Sequence, residues 1–150
     1  MEVVIFIGIP ASGKSTFYKE RFFNTHIRIN LDMLKTRHRE SLLSKACLDA
    51  KQPFVVDNTN VLKRDRAQII RQAREADFRV VGYYFQAKLQ DALERNSRRN
   101  GKECIPEGGL VAKYTKLQIP EVGEGFDELF YVMINPDTGE FVVKEWNNEI

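Results

Sequence analysis

Histidine and cysteine are scarce in this 150-residue chain, with two of each. His26 and His38 are too few and too scattered for a metal cage. Cys47 and Cys104 form no CxxC pair and have no neighbouring histidine, so neither a zinc site nor a disulfide framework is indicated, and both read as reduced thiols. Long apolar runs are missing too, which excludes a helical membrane span. Met1 to Pro10 lacks the basic start and small-residue cleavage site of a signal peptide, so a cytoplasmic location is expected. Charge of one sign is also lacking. The net value of +2 neither demands nor excludes a nucleic-acid partner. With no repeat, low-complexity stretch or linker in view, one domain spanning 1–150 is expected, and its 43% hydrophobic residues are enough for a core.

What is present is an alternation of short apolar runs with helical periodicities. Glu2 to Ile7 is a nearly continuous apolar run, the pattern of a central strand covered on both faces. Ile27–Asn30, Phe54–Asp57, Val80–Phe85 and Leu129–Ile134 read as further strands. Helices are expected over Lys14–Phe23, Leu31–Ala50, Lys63–Ala76 and Lys88–Asn100, and from Pro106 towards Leu117. Ile69, Ala73 and Ala76 are spaced to form one buried stripe, while Arg64 and Arg66 can simply face solvent. Asn135-Pro136-Asp137-Thr138-Gly139 turns the chain into an edge hairpin over Phe141–Trp146. The Asp-Thr-Gly within it copies the aspartic-protease tripeptide, but Asp and Gly are the residues a turn requires. Strand and helix in alternation imply right-handed βαβ units and a mostly parallel sheet.

Between the first strand and first helix, Gly8-Ile9-Pro10-Ala11-Ser12-Gly13-Lys14-Ser15 matches G-x-x-x-x-G-K-[ST] in the context that motif needs. Its glycines let backbone N–H groups curl around phosphates at the positive end of the helix. Gly8, Ala11, Ser12, Gly13, Lys14, Ser15 and Thr16 are the expected ATP-binding set, with Lys14 reaching the β- and γ-phosphates and Ser15 ligating Mg²⁺. The fold expected is therefore α/β: a three-layer P-loop NTPase fold with helices on both faces. No N-K-x-D or D-x-x-G string marks a GTPase and no LSGGQ-like signature an ABC ATPase, while AAA+ and RecA motors usually span more chain. A kinase with a basic lid is favoured.

Asp32 begins a helix near the sheet's carboxyl edge, where α/β ligands bind. It suits either a general base for an acceptor hydroxyl or a charge at a helix N-terminus. Lys35, three residues on, can share its face and hold an acceptor phosphate. Asp57 ends an apolar strand and is placed to orient Mg²⁺ through water, or else to form an Asx-turn, and Asn58 follows as a substrate contact. Arg95, Arg98 and Arg99 fall on one face of the Lys88–Asn100 helix, forming with the segment to Leu117 a lid over about 95–117.

The strings GIPASGKST, INLDMLK, VVDNTN and RNSRRNGKECIP, in that order, resemble the 5′-hydroxyl polynucleotide kinase family over roughly residues 1–134. The resemblance implies ATP as donor with Mg²⁺, Lys14 and Ser15 at the nucleotide, Asp32 as general base, and Arg95 and Arg99 in the lid. It implies a 5′-hydroxyl end of DNA or RNA as acceptor, with a separate ligase or phosphatase as possible pathway partner; the oligomeric state stays open. Lys35 stands where the family commonly has an arginine, keeping the charge but losing the bidentate fork. Gly108-Gly109 in the first turn of the last helix departs as well, costing about 1 kcal/mol per glycine against alanine. A small-molecule, nucleoside-type or aminoacyl-tRNA hydroxyl is the alternative acceptor, for which the loop, Asp32 and lid would be unchanged.

Overall fold

The computed structural model describes residues 1–147, the Lys102 side chain excepted, so the last three residues of the expected 1–150 domain lie outside the described residues. Six strands form one sheet: β1 (Glu2–Ile7), β2 (Ile27–Ile29), β3 (Phe54–Val56), β4 (Arg79–Phe85), β5 (Glu128–Ile134) and β6 (Phe141–Glu145). Their order is β2-β3-β1-β4-β5-β6, parallel except for the β5–β6 hairpin. This places β1, the strand feeding the glycine-rich loop, in the interior, where its Val3–Ile7 run is fully buried.

Strand parity divides the core. Val3, Ile5 and Ile7 join Ile29, Val56 and Val80 on the face covered by α3 (Arg37–Ala50) and α4 (Lys63–Glu75), which contribute Cys47, Ile70 and Ala73. Val4 and Phe6 join Val55, Val81 and Val132 on the opposite face, under α1 (Lys14–Arg21), which contributes Phe17 and Tyr18. The α1 side is aromatic. Phe6, Phe17, Phe22, Tyr83 and Phe85 pack mostly edge to face, with Phe17 5.4 Å from Tyr83 and 5.1 Å from Phe141 of the hairpin. The result is a three-layer P-loop NTPase fold with helices on both faces of a mostly parallel sheet.

A third cluster roots the arginine-bearing segment. Ile9 and Ala11 of the loop pack with Ala92 of α5 (Leu89–Ser97) and Leu110 of α6 (Glu107–Lys116).

Three expectations from sequence are corrected. The Leu31–Ala50 helix is two helices, α2 (Leu31–Leu34) and α3, because Lys35 takes φ 77° and Thr36 caps α3 by accepting from the Arg39 N–H. Lys35 and Asp32 therefore do not share a continuous helix face. The α5 helix stops at Ser97, since the buried Asn96 carboxamide donates to the Ile105 carbonyl (2.7 Å) and accepts from the Ile105 N–H (2.9 Å), drawing the chain back into a closed loop. Arg98 and Arg99 thus leave the helix instead of extending its face. Finally, the buried stripe of α4 is Arg66, Ile70 and Ala73, with Ile69 and Ala76 only flanking it. Arg66 is fully buried and paired through Nε and Nη2 with both oxygens of Glu124 (2.9 and 3.1 Å), while its Nη1 donates to the Asn60 carbonyl. Arg64 is exposed, as it was free to be. The 137–139 tripeptide lies in a turn closed by the Asn135 side chain, as turn chemistry requires.

Candidate active site

The loop between β1 and α1 is shaped by what its backbone must do. Ala11 and Gly13 take positive φ, 63° and 97°. A side chain at Gly13 is disfavoured for a second reason: a Cβ there would lie 3.0 Å from the Phe141 ring of the hairpin, which would have to shift to admit it. The β5–β6 hairpin therefore backs the loop from behind. The Lys14 ammonium is buried and donates to the carbonyls of Gly8 (3.0 Å) and Ile9 (2.7 Å) and to Ser12 Oγ (3.4 Å). Burial pulls its pKa down to about 8, opposed by the nearby Asp57 carboxylate, assisted by the Arg99 guanidinium, and opposed more weakly by Asp32. Those three charges, from three separate stretches of sequence, all act electrostatically on the one Lys14 nitrogen.

Asp57, at the carboxyl end of β3, is 1% exposed. Its Oδ2 accepts from Ser15 Oγ (3.1 Å) and from Arg28 Nε (2.8 Å), and Arg28 Nη2 reaches Ser15 Oγ (2.9 Å). Ser15 and Thr16 sit exposed at the start of α1. A hydroxyl and a carboxylate oxygen this close are hard donors suited to Mg²⁺, which keeps most of its ligands as water and phosphate oxygen. Among the described residues no cluster of three or more His, Cys, Asp or Glu side chains forms a self-sufficient metal cage, so a metal here would depend on the nucleotide for its remaining ligands.

On the acceptor side, Asn30 caps α2 by accepting from the Met33 N–H and donates to the Asp57 carbonyl. Asn58 accepts from the Leu31 N–H (2.8 Å) and donates to Glu40 of α3 (2.9 Å). Its amide is thus engaged in holding α2 and α3 beside β3. Asp32, second residue of α2, is exposed at the mouth of the site, and Lys35, Arg37, His38 and Arg39 continue the exposed surface.

From the lid, Arg95 Nη1 donates to the Ala11 carbonyl (2.8 Å), which fastens α5 to the phosphate loop. Arg99 donates to the Glu103 carbonyl (3.2 Å) from the loop that Asn96 closes. Two residues of this site were not singled out by sequence reasoning. Arg28 had a signal, since strand parity puts it on the face opposite buried Ile29, next to the strand that ends at Asp57. Asn96 had one in its place on the core side of α5. A concavity of about 480 Å³ between α3 and α4, bordered by Lys45, Leu48, Gln72 and Glu75, shares no residue with this site.

Strand, glycine-bearing loop, buried lysine and helix-borne hydroxyl facing a strand-end carboxylate define a phosphate site of the P-loop NTPase class. The family model described as AAA domain matches residues 3–109, and the chain belongs to that family. The chain is 29% identical over 129 residues to the bifunctional polynucleotide phosphatase/kinase of Schizosaccharomyces pombe, covering 83% of this chain and 32% of that protein. It is 28% identical over 145 residues to the L-seryl-tRNA(Sec) kinase of Methanococcus maripaludis, covering 83% and 56%. The chain thus spans about a third to about half the length of these curated relatives. Among solved structures, Chaetomium thermophilum Kti12 in complex with ADP-AlF3 superposes with a TM-score of 0.69 at 18% identity, over 91% of each chain. The resemblance to polynucleotide kinases accordingly broadens to a P-loop kinase-like domain related both to them and, in fold, to Kti12. No described helix is long and apolar enough to cross a membrane.

Proposed function

We propose that this chain is an ATP-dependent phosphotransferase that moves the γ-phosphoryl group to a hydroxyl carried by an acceptor of the aminoacyl-tRNA type. The observation that carries the transferase reading is the buried Lys14 of the phosphate loop beside the Ser15–Asp57 pair, with Arg95 of α5 donating to the Ala11 carbonyl of the same loop. Phosphoryl transfer needs little covalent help from the protein and much charge placed in register, and this site supplies both signs at one point. The loop N–H groups and Lys14 bind the triphosphate. Asp32 orients the acceptor hydroxyl and takes its proton as the oxygen attacks. Arg99, with Arg95 fastening the lid, offsets charge on the transferring group and helps exclude water. Ser15 and Asp57 would hold Mg²⁺, which when bound neutralises charge on the β- and γ-oxygens.

The acceptor class rests on two features. The acceptor side is an exposed surface bearing Asp32, Lys35, Arg37, His38 and Arg39, which suits a macromolecule better than an enclosed metabolite. The similarity to an L-seryl-tRNA(Sec) kinase extends over most of this chain and more than half of that protein. A 5′-hydroxyl polynucleotide end is the second reading, favoured by the lid string RNSRRNGKECIP and by the similarity to polynucleotide phosphatase/kinase.

The test is transfer of label from [γ-³²P]ATP to seryl-tRNA, to deacylated tRNA, and to matched 5′-hydroxyl and 5′-phosphorylated DNA and RNA oligonucleotides. Label on seryl-tRNA alone, lost with Asp32→Ala, is the expected result. Label on 5′-hydroxyl ends that the 5′-phosphate blocks would transfer the assignment to the second reading. ATP binding with no label on any acceptor, including small hydroxyl compounds, would remove the transferase reading.

A further inference from the structure

Asp57 is a buried carboxylate, and a buried charge persists only with a partner. Its partner is Arg28, whose side chain is 28% exposed, and whose guanidinium spans the two groups at which a metal would sit: Nε on Asp57 Oδ2 at 2.8 Å, Nη2 on Ser15 Oγ at 2.9 Å. The Ser15 hydroxyl then donates to the same Asp57 oxygen at 3.1 Å, closing a three-membered ring of contacts.

We propose that Arg28 is the resident counter-ion of the metal site, which a divalent cation must displace, so that this residue sets how tightly the nucleotide complex holds its metal. The inference rests on the reading of Ser15 and Asp57 as the metal-holding pair. Mg²⁺ binds oxygen at about 2.1 Å and carries two charges. A guanidinium donating to the same hydroxyl and the same carboxylate oxygen competes with it for lone pairs and repels it. The exchange alters no covalent bond, and the guanidinium keeps its proton throughout. Arg28 is built to leave. It lies on β2, the edge strand of the sheet, and its Cζ is already 6.0 Å from the centre of the Tyr18 ring, which the Tyr18 hydroxyl anchors on the His26 carbonyl at 2.6 Å. The ring face offers the displaced cation a resting surface at the site's margin. Before metal arrives, Arg28 performs the same electrostatic task and keeps the Asp57 strand end and the α1 start together.

Mn²⁺ serves as the probe, titrated by electron paramagnetic resonance into protein saturated with ADP, for wild type, Arg28→Gln, Arg28→Lys and Asp57→Asn. Arg28→Gln is expected to bind Mn²⁺ on the order of tenfold more tightly, as follows from deleting a competing charge-assisted hydrogen bond, with Arg28→Lys in between. In EDTA, Arg28→Gln should melt below wild type, and the gap should narrow as Mn²⁺ is added. Unchanged or weaker Mn²⁺ binding in Arg28→Gln, while Asp57→Asn abolishes binding, would overturn the role of Arg28 and leave the metal pair standing. Binding insensitive to Asp57→Asn would overturn both. If Arg28→Gln does not fold, the affinity of Arg28→Lys decides: tighter than wild type supports the exchange, equal or weaker refutes it.

Discussion

Lys14, on the donor side, is held by groups two, five and six residues away in sequence, all within one loop. Asp32, on the acceptor side, is positioned through a bond from the Leu31 N–H to Asn58, 27 residues on, and through Asn30 on the Asp57 carbonyl. The Lys14 side chain of the donor half is buried, whereas Asp32 of the acceptor half is exposed. A local, buried device tolerates few changes of residue but survives changes elsewhere. A device assembled from distant stretches can change its specificity by small shifts in α2 and α3 while the phosphate loop stays fixed.

The comparison is broken most sharply by removing one charge from each half. Asp32→Ala should lower turnover by about 10³-fold, the scale of a lost general base, with a much smaller change in ATP affinity because Asp32 bears on the loop only through its weak electrostatic effect on Lys14. Lys14→Met should lose ATP binding and transfer together. Stopped-flow binding of a fluorescent ATP analogue, read beside single-turnover transfer, separates the two patterns.

A smaller effect is expected where Arg66 props up the loop after β3. Glu124→Ala leaves a fully buried guanidinium without its carboxylate, and should cost about 3 kcal/mol in urea unfolding. Because Arg66 also donates to the Asn60 carbonyl, beside Asn58, the acceptor half should suffer more than the donor half, seen as a loss of transfer exceeding the loss of ATP affinity.

Protonation of Lys14 sharpens the donor side alone. Its pKa of about 8 in the free protein must rise when a polyanion binds, so the triphosphate prefers the protonated form. Affinity should be flat below pH 8 and fall as pH rises above it, by up to about tenfold per pH unit until the bound-state pKa is reached. Calorimetry at pH 8.5 in two buffers of different ionisation enthalpy should register proton uptake on binding.

The smallest effect concerns the lid. A Cβ at Gly108 or Gly109 would meet nothing within 4 Å, so alanine at both should stabilise α6 by about 1 kcal/mol each through helix propensity. Amide hydrogen exchange should slow across α6 and the loop before it, while exchange in α2 stays unchanged.

Much of this was legible beforehand where the pattern is local. The glycine-rich loop needs its residues at fixed spacing, and the strands declare themselves by burial on both faces, so Lys14, Ser15 and Asp57 could be placed from the string alone. The break at Lys35 was harder. Leu31, Leu34 and Leu42 imitate one helix, and only the capping threonine at 36 signals two. Arg66 was misread because a buried arginine in an α4 stripe looks like a solvent-facing one until Glu124, 58 residues later, is brought against it. Arg99 kept its place near Lys14 for a different reason from the one its spacing suggested, since Asn96 bends the chain after the helix has ended.

By itself, then, the sequence determined the α/β class, the strand that leads into the phosphate loop, and the identity of the residues that form that loop. These follow from periodicity and from backbone requirements that act over a few residues. Only the tertiary structure decided that Arg28 spans Ser15 and Asp57, that Asn58 steadies the helix bearing Asp32, and that Arg95 fastens the lid to Ala11. Those contacts join segments 13 to 84 residues apart, and hydrogen bonds at such separations leave no period in the chain to read.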